Sequence, residues 1–154
     1  MRYQWSGRLT LSVPPDQAFV AFTPRGESGW APEWEPVFHG PAEDDSAPGT
    51  VFEVIHGHSH SVWQVVERID STYLRYARTT PGVSAGTVTV ELTPEGPGSR
   101  VDVTYQMTAL SADSEAELAA LATDPERSPS AWQGPIERFL AGQQPEDPPL
   151  TQAE

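Results

Sequence analysis

Three groups of side chains in this sequence have the types and spacing to do chemistry: a strand arginine among apolar neighbours, a run of alternate histidines, and a serine in a G-x-S-x-G setting. Arg78 shares one side of its strand with Leu74 and Tyr76. If that side is the inner one, its fixed fork of donors could pair with a ligand carboxylate or enolate near a cavity mouth. If it is the outer one, Arg78 is a solvated sheet-edge cation, the commoner fate of an arginine. Glu53 and Glu67 carry the matching acid question, since a carboxyl on the dry side of a sheet has a raised pKa and could move protons on a ligand. The wet convex face is the usual place for such groups. Glu33, Glu35 and Glu91 lie on other elements, so no acid and base pair is assigned.

His56, His58 and His60 would share a face on a regular strand, as metal-binding His-x-His pairs do. Gly57 and Ser59 point to a turn instead, over which the imidazoles splay, and no metal or other cofactor is expected. His39 is read as a lone surface or core histidine. Gly82-Val83-Ser84-Ala85-Gly86 has the letters of a serine-hydrolase elbow, which needs a strand before it and a helix after it. Thr87 to Leu92 is a strand pattern, so a hairpin loop is expected and the catalytic residues stay unknown.

The 154 residues fit one domain, with about 68–70% of the chain's surface buried on folding. Cysteine is absent, which excludes disulfide scaffolds, thiolate zinc sites and cysteine nucleophiles. The net charge of −13 repels phosphate backbones and anionic lipid, so no nucleic-acid partner is expected. The N-terminal Arg2-Tyr3-Gln4-Trp5 lacks the apolar core of a secretory signal, and no apolar run approaches the roughly 18 residues of a membrane span. A cytoplasmic protein is the expectation.

The elements that must position these residues follow from periodicity. Tyr3, Trp5, Leu9, Leu11 and Val13 alternate with polar residues, a half-buried strand. Pro14-Pro15 end it, and Asp16 to Phe22 reads as a short helix, followed by one helical turn and a loop presenting Trp30 and Trp34. Five further strands are predicted near 50–56, 61–69, 72–80, 87–92 and 100–109, joined by tight turns that force antiparallel neighbours. Ser114 and Glu117 have capping-box spacing ahead of Leu118, Leu121 and Ala122. Trp132, Ile136, Phe139 and Leu140 form one apolar helical stripe, with Pro125 and Pro129 near a start and Pro135 inside it. Residues 1–142 make the domain, and 143–154 read as a proline-rich tail.

The order strand, two short helices, six strands and a long C-terminal helix resembles the helix-grip fold of the START-related, birch-pollen-allergen-like and polyketide-cyclase-like (SRPBCC) superfamily. The likeness is strongest in the stretches Phe22 to Phe38 and Tyr76 to Val88, which resemble uncharacterised bacterial members. It implies an α+β domain in which a curved antiparallel sheet of about seven strands surrounds the terminal helix, leaving a cavity for a hydrophobic ligand. On that frame Trp30, Trp34, Tyr76, Arg78, Tyr105, Met107, Trp132, Ile136 and Phe139 are the candidate ligand-binding residues, the two early tryptophans as a lid or a wedge. The expected function is binding or transport of a small lipid- or polyketide-like molecule. The alternatives are a cyclase, aromatase or dehydratase using Glu53, Glu67 or Arg78, and a protein-interaction module, since Phe22 to Trp30 is also distantly similar to the heat-shock-protein ATPase activator family.

Overall fold

The computed structural model describes residues 1–56 and 59–143, and of His56 only the backbone, so His58 and the expected tail beyond Gln143 lie outside the described residues. Alternating apolar residues build β1 (Arg2–Leu11), β2 (Pro36–Phe38), β3 (Val51–His56), β4 (Ser59–Ile69), β5 (Tyr73–Thr80), β6 (Ser84–Glu95) and β7 (Gly98–Ala109). They form one antiparallel sheet in the order β1-β7-β6-β5-β4-β3-β2. β4, β6 and β7 start earlier than their alternation predicts, because pairing continues into the turns: His56 faces Ser59, Thr80 faces Ser84, and Glu95 faces Gly98. Gly82, at φ 75°, closes the β5–β6 turn, so Ser84 begins a strand and the G-x-S-x-G stretch has no elbow.

Between β1 and β2 lie α1 (Pro15–Ala18), a 3-10 turn over Phe19–Phe22, and α2 (Pro24–Glu27). Thr23 caps α2 by accepting the Gly26 N–H at 3.1 Å. After β7 come α3 (Ala112–Thr123), 3-10 turns over Pro125–Arg127 and Pro129–Trp132, and α4 (Gln133–Gln143). The expected Ser114–Glu117 cap is corrected here. Ser111, in extended backbone, accepts the Ser114 N–H, and Ser114 Oγ accepts the Ser111 N–H, so α3 starts one turn earlier. Pro125 and Pro129 open the two 3-10 turns, while Pro135 sits in the first turn of α4, where a missing N–H costs no helical bond.

The helical segments are laid over the inner face of the sheet and tied along β1. Thr10 N–H donates to Gln133 Oε1 at 3.0 Å, and Ser12 N–H and Oγ donate to the two carboxylate oxygens of Glu137 at 3.1 and 2.8 Å. Gly7 is required at the crossing, because a Cβ there would lie 2.6 Å from the Ser130 nitrogen. Leu9, Leu11, Phe22, Val65, Leu74, Val101, Val103, Ile136 and Leu140 fill the half of the interior near α1 and α4, each 2% exposed or less.

Candidate functional site

The register of the sheet brings a different set of side chains to the other half of the inner face. Trp63 pairs with Arg78, Arg78 with Gly86, and Gly86 with Met107, while the adjoining row holds Ser61 and Thr80, hydrogen bonded at 3.2 Å, and then Ser84. Arg78 is therefore on the inner face, half-buried, with its guanidinium carbon 5.2 Å from the centre of the Trp63 ring. The solvated sheet-edge placement, the commoner one for an arginine, is corrected: two residues of alternation from the fully buried Tyr76 carry Arg78 inward. Gly86 is required in this row, because a Cβ there would lie 1.9 Å from the Gln106 carbonyl oxygen. The Nε of Arg78 and the Nε1 of Trp63 are both buried without a hydrogen-bond partner. Native interiors rarely leave such donors unpaired.

Two hollows adjoin this polar end. An enclosed one of about 60 Å³ is bounded by Arg78, Thr80, Ser84, Met107, Ser114 and Leu118, and a wider one of about 290 Å³ opens at the β1 edge against Asp124, Pro125 and Ser128. Trp5 and Leu121 wall both. The wider hollow is at the small end of the range of roughly 300–1,000 Å³ for ligand pockets. An aromatic wall continues from it: Trp5 stacks on Tyr105 with ring centres 5.0 Å apart, Tyr105 meets Trp132 edge-on at 6.3 Å, and Trp132 meets Trp30 at 5.3 Å.

Electrostatics link the polar tips. Burial pushes the Glu27 carboxyl well above the usual carboxylate range, only partly opposed by the Arg78 charge. Burial likewise raises the Tyr105 hydroxyl, with Arg78 lowering it and Glu27 raising it in turn. Glu27 and Tyr105 both keep some accessible surface. Among the described residues no carboxylate lies within ion-pair distance of Arg78.

The remaining expected site residues are divided. Trp30 donates its indole N–H to the Ala21 carbonyl and Trp34 donates to the Pro24 carbonyl, both at 2.7 Å, so each indole is anchored to the segment that carries α1 and α2. Trp34 stands edge-on to Trp63 and Phe52. Tyr76 is buried and its hydroxyl donates to the Phe22 carbonyl at 2.6 Å, which commits its polar tip to the fold. Ile136 is wholly buried in the packed half, Phe139 is half-buried against Gly29, and Met107 borders the enclosed hollow.

Glu53 lies on the outer face between the buried Phe52 and Val54, where its two carboxylate oxygens bond the Nε2 atoms of His39 and His60. Both hydrogen bonds hold its carboxyl below the usual range. His39 is thus not a lone histidine: β2 and β4 flank β3 and carry both imidazoles to one carboxylate. Glu67 is exposed on β4, next to the shift of register that follows Val65. Neither glutamate faces the interior. The desolvated acid is Glu27, the last residue of α2, and no periodicity in the sequence marked it. Trp5 was legible as inward-facing by alternation with Leu9 and Leu11, though nothing local marked it as a cavity wall.

A seven-stranded antiparallel sheet gripping a C-terminal helix, with short helices after the first strand, is the helix-grip architecture of SRPBCC proteins. Residues 5–142 match the family described as polyketide cyclase / dehydrase and lipid transport, and the chain belongs to it. No curated protein matches the sequence. Among solved structures, Ara h 8.0201 is similar at 14% identity and a TM-score of 0.64, over 92% of this chain and 99% of that one. MLL2253 from Mesorhizobium loti is similar at 16% identity and a TM-score of 0.65, over 92% and 99%. DynU16, from the dynemicin biosynthetic locus, is similar at 19% identity and a TM-score of 0.61 over 92% of this chain, which spans only 48% of that structure. At these identities the likeness is one of fold. No helix among the described residues is long and apolar enough to cross a membrane.

Proposed function

We propose that the chain binds a small hydrophobic molecule, lipid- or polyketide-like, between the inner face of the sheet and the C-terminal helices. The observation that carries this reading is the chain of half-buried aromatics Trp5, Tyr105, Trp132 and Trp30, which starts at Trp5, the wall shared by the two hollows. A guest covering such a wall gains about 25 cal/mol for each Å² of apolar surface removed from water, without any special motif. Membership of a family described by polyketide cyclisation, dehydration and lipid transport agrees with this chemistry. Native mass spectrometry of the protein incubated with fatty acids, flavonoids and aromatic polyketides is expected to show a one-to-one adduct with at least one class; a protein that stays free in every mixture contradicts the reading.

A second reading, an enzyme of the cyclase or dehydratase type, is favoured by Glu27. A carboxyl whose ionised form is disfavoured by burial, beside a cation, is equipped to give and take a proton on a bound ketone. On this reading the protein speeds exchange of the α-protons of a bound β-diketone into heavy water, and Glu27→Gln removes the acceleration while binding persists. Equal exchange with and without protein contradicts it. Trp30 is packed on Trp132 and hydrogen bonded to Ala21, which gives no support to an interaction module centred on that residue.

A further inference from the structure

The polar end of the interior is chemically one-sided. Arg78 presents a buried Nε–H and Trp63, 6% exposed, a buried Nε1–H; both lack an acceptor, and the two residues face one another in the sheet register. The guanidinium carbon lies 5.2 Å from the centre of the indole ring, and Arg78 itself borders the small hollow that Thr80 and Ser84 also line. We propose that the guest carries a carboxylate on an apolar body and enters acid-first, so that its two oxygens accept the Arg78 and Trp63 donors while the body lies against Trp5 and Tyr105. This rests on the reading that the interior takes a hydrophobic guest, and adds the class of that guest and its orientation.

Two further observations lead the same way. Glu27 is the acid nearest in influence to Arg78, but its burial disfavours the carboxylate form, so it is a weak counter-charge and leaves the cation available. The chain as a whole carries −13, a field that opposes entry of any anion. A preference for an acid over its neutral analogue must therefore come from the site. Hydrogen bonds to charged groups are worth roughly 1.5–3 kcal/mol, which is about 10- to 150-fold in affinity.

The test is calorimetric titration of the full chain with decanoate and with decanol, which share an apolar body. The wild-type protein is expected to bind decanoate at least about tenfold tighter than decanol. In Arg78→Gln the ratio falls to near one. Trp63→Phe, which keeps an aromatic ring near the guanidinium but removes the N–H together with the five-membered ring, lowers it several-fold. Circular dichroism and urea midpoints identify a variant that fails to fold, and either variant alone suffices. A ratio near one in the wild type, or a ratio that both folded variants leave unchanged, overturns the acid-first guest while the hydrophobic-guest reading stands. Binding of neither probe removes both.

Discussion

Phe52→Ala is expected to lower the unfolding free energy by about 3–5 kcal/mol, the usual cost of removing a large aromatic from a core. Phe52 is wholly buried, and four rings converge on it: Trp34 edge-on at 5.9 Å, Phe38 tilted at 5.6 Å, Trp63 stacked at 5.9 Å and Tyr76 edge-on at 6.0 Å. These neighbours come from three strands and the loop after α2, and backbone pairing fixes three of them, so little collapse can fill the void. Against a total stability of about 5–15 kcal/mol the loss is a large fraction. At about 2–4 °C per kcal/mol it lowers the melting temperature by roughly 6–20 °C. Urea denaturation followed by tryptophan fluorescence reads it directly. A loss below about 1 kcal/mol would mean that the aromatic cluster is not the keystone of this side of the sheet.

The second large effect is expected from the smallest change. In Gly26→Ala the added carbon would lie 1.6 Å from the Val20 carbonyl oxygen and 2.7 Å from Thr23 Oγ1, contacts that cannot exist. The 3-10 turn and α2 are joined there through Thr23, whose hydroxyl donates to the Val20 carbonyl at 2.8 Å and accepts from Gly26. Relief requires moving backbone, and with it the Ala21 and Pro24 carbonyls that anchor Trp30 and Trp34. The expected cost is about 3 kcal/mol, at the upper end for forced overpacking. Because Glu27 rides on the same turn, the substitution also disturbs the interior acid. Thermal melts and guest titrations on the same sample should fall together; a stable variant with unaltered titration contradicts the close approach.

Much of the architecture was legible because its signals are local. Period-two alternation in 2–13, 87–92 and 100–109 specifies which face of each strand is dry, and the tight turns leave only antiparallel pairing. Arg78 escaped a firm placement for a physical reason. Alternation ties it to Leu74 and Tyr76, but an arginine on a dry face is costly, and the small hollow it borders with Thr80 and Ser84, together with the Trp63 ring, makes the position tenable. The pairing of His39 and His60 on Glu53 could not be read at all, since it joins residues on β3, on β4 and just past the end of β2 through a register that sequence does not display. Trp5 had visible periodicity, yet its meaning depends on what stands opposite it, α3 over the β1 edge.

The most direct measurement is a nitrogen-proton correlation spectrum of the five tryptophan indoles during titration with decanoate. The account predicts saturable shifts of the Trp63, Trp5 and Trp132 signals, with Trp63 moving downfield as its free N–H gains an acceptor. A spectrum in which all five indole signals hold their positions to the end of the titration would show that nothing enters between the sheet and its helices.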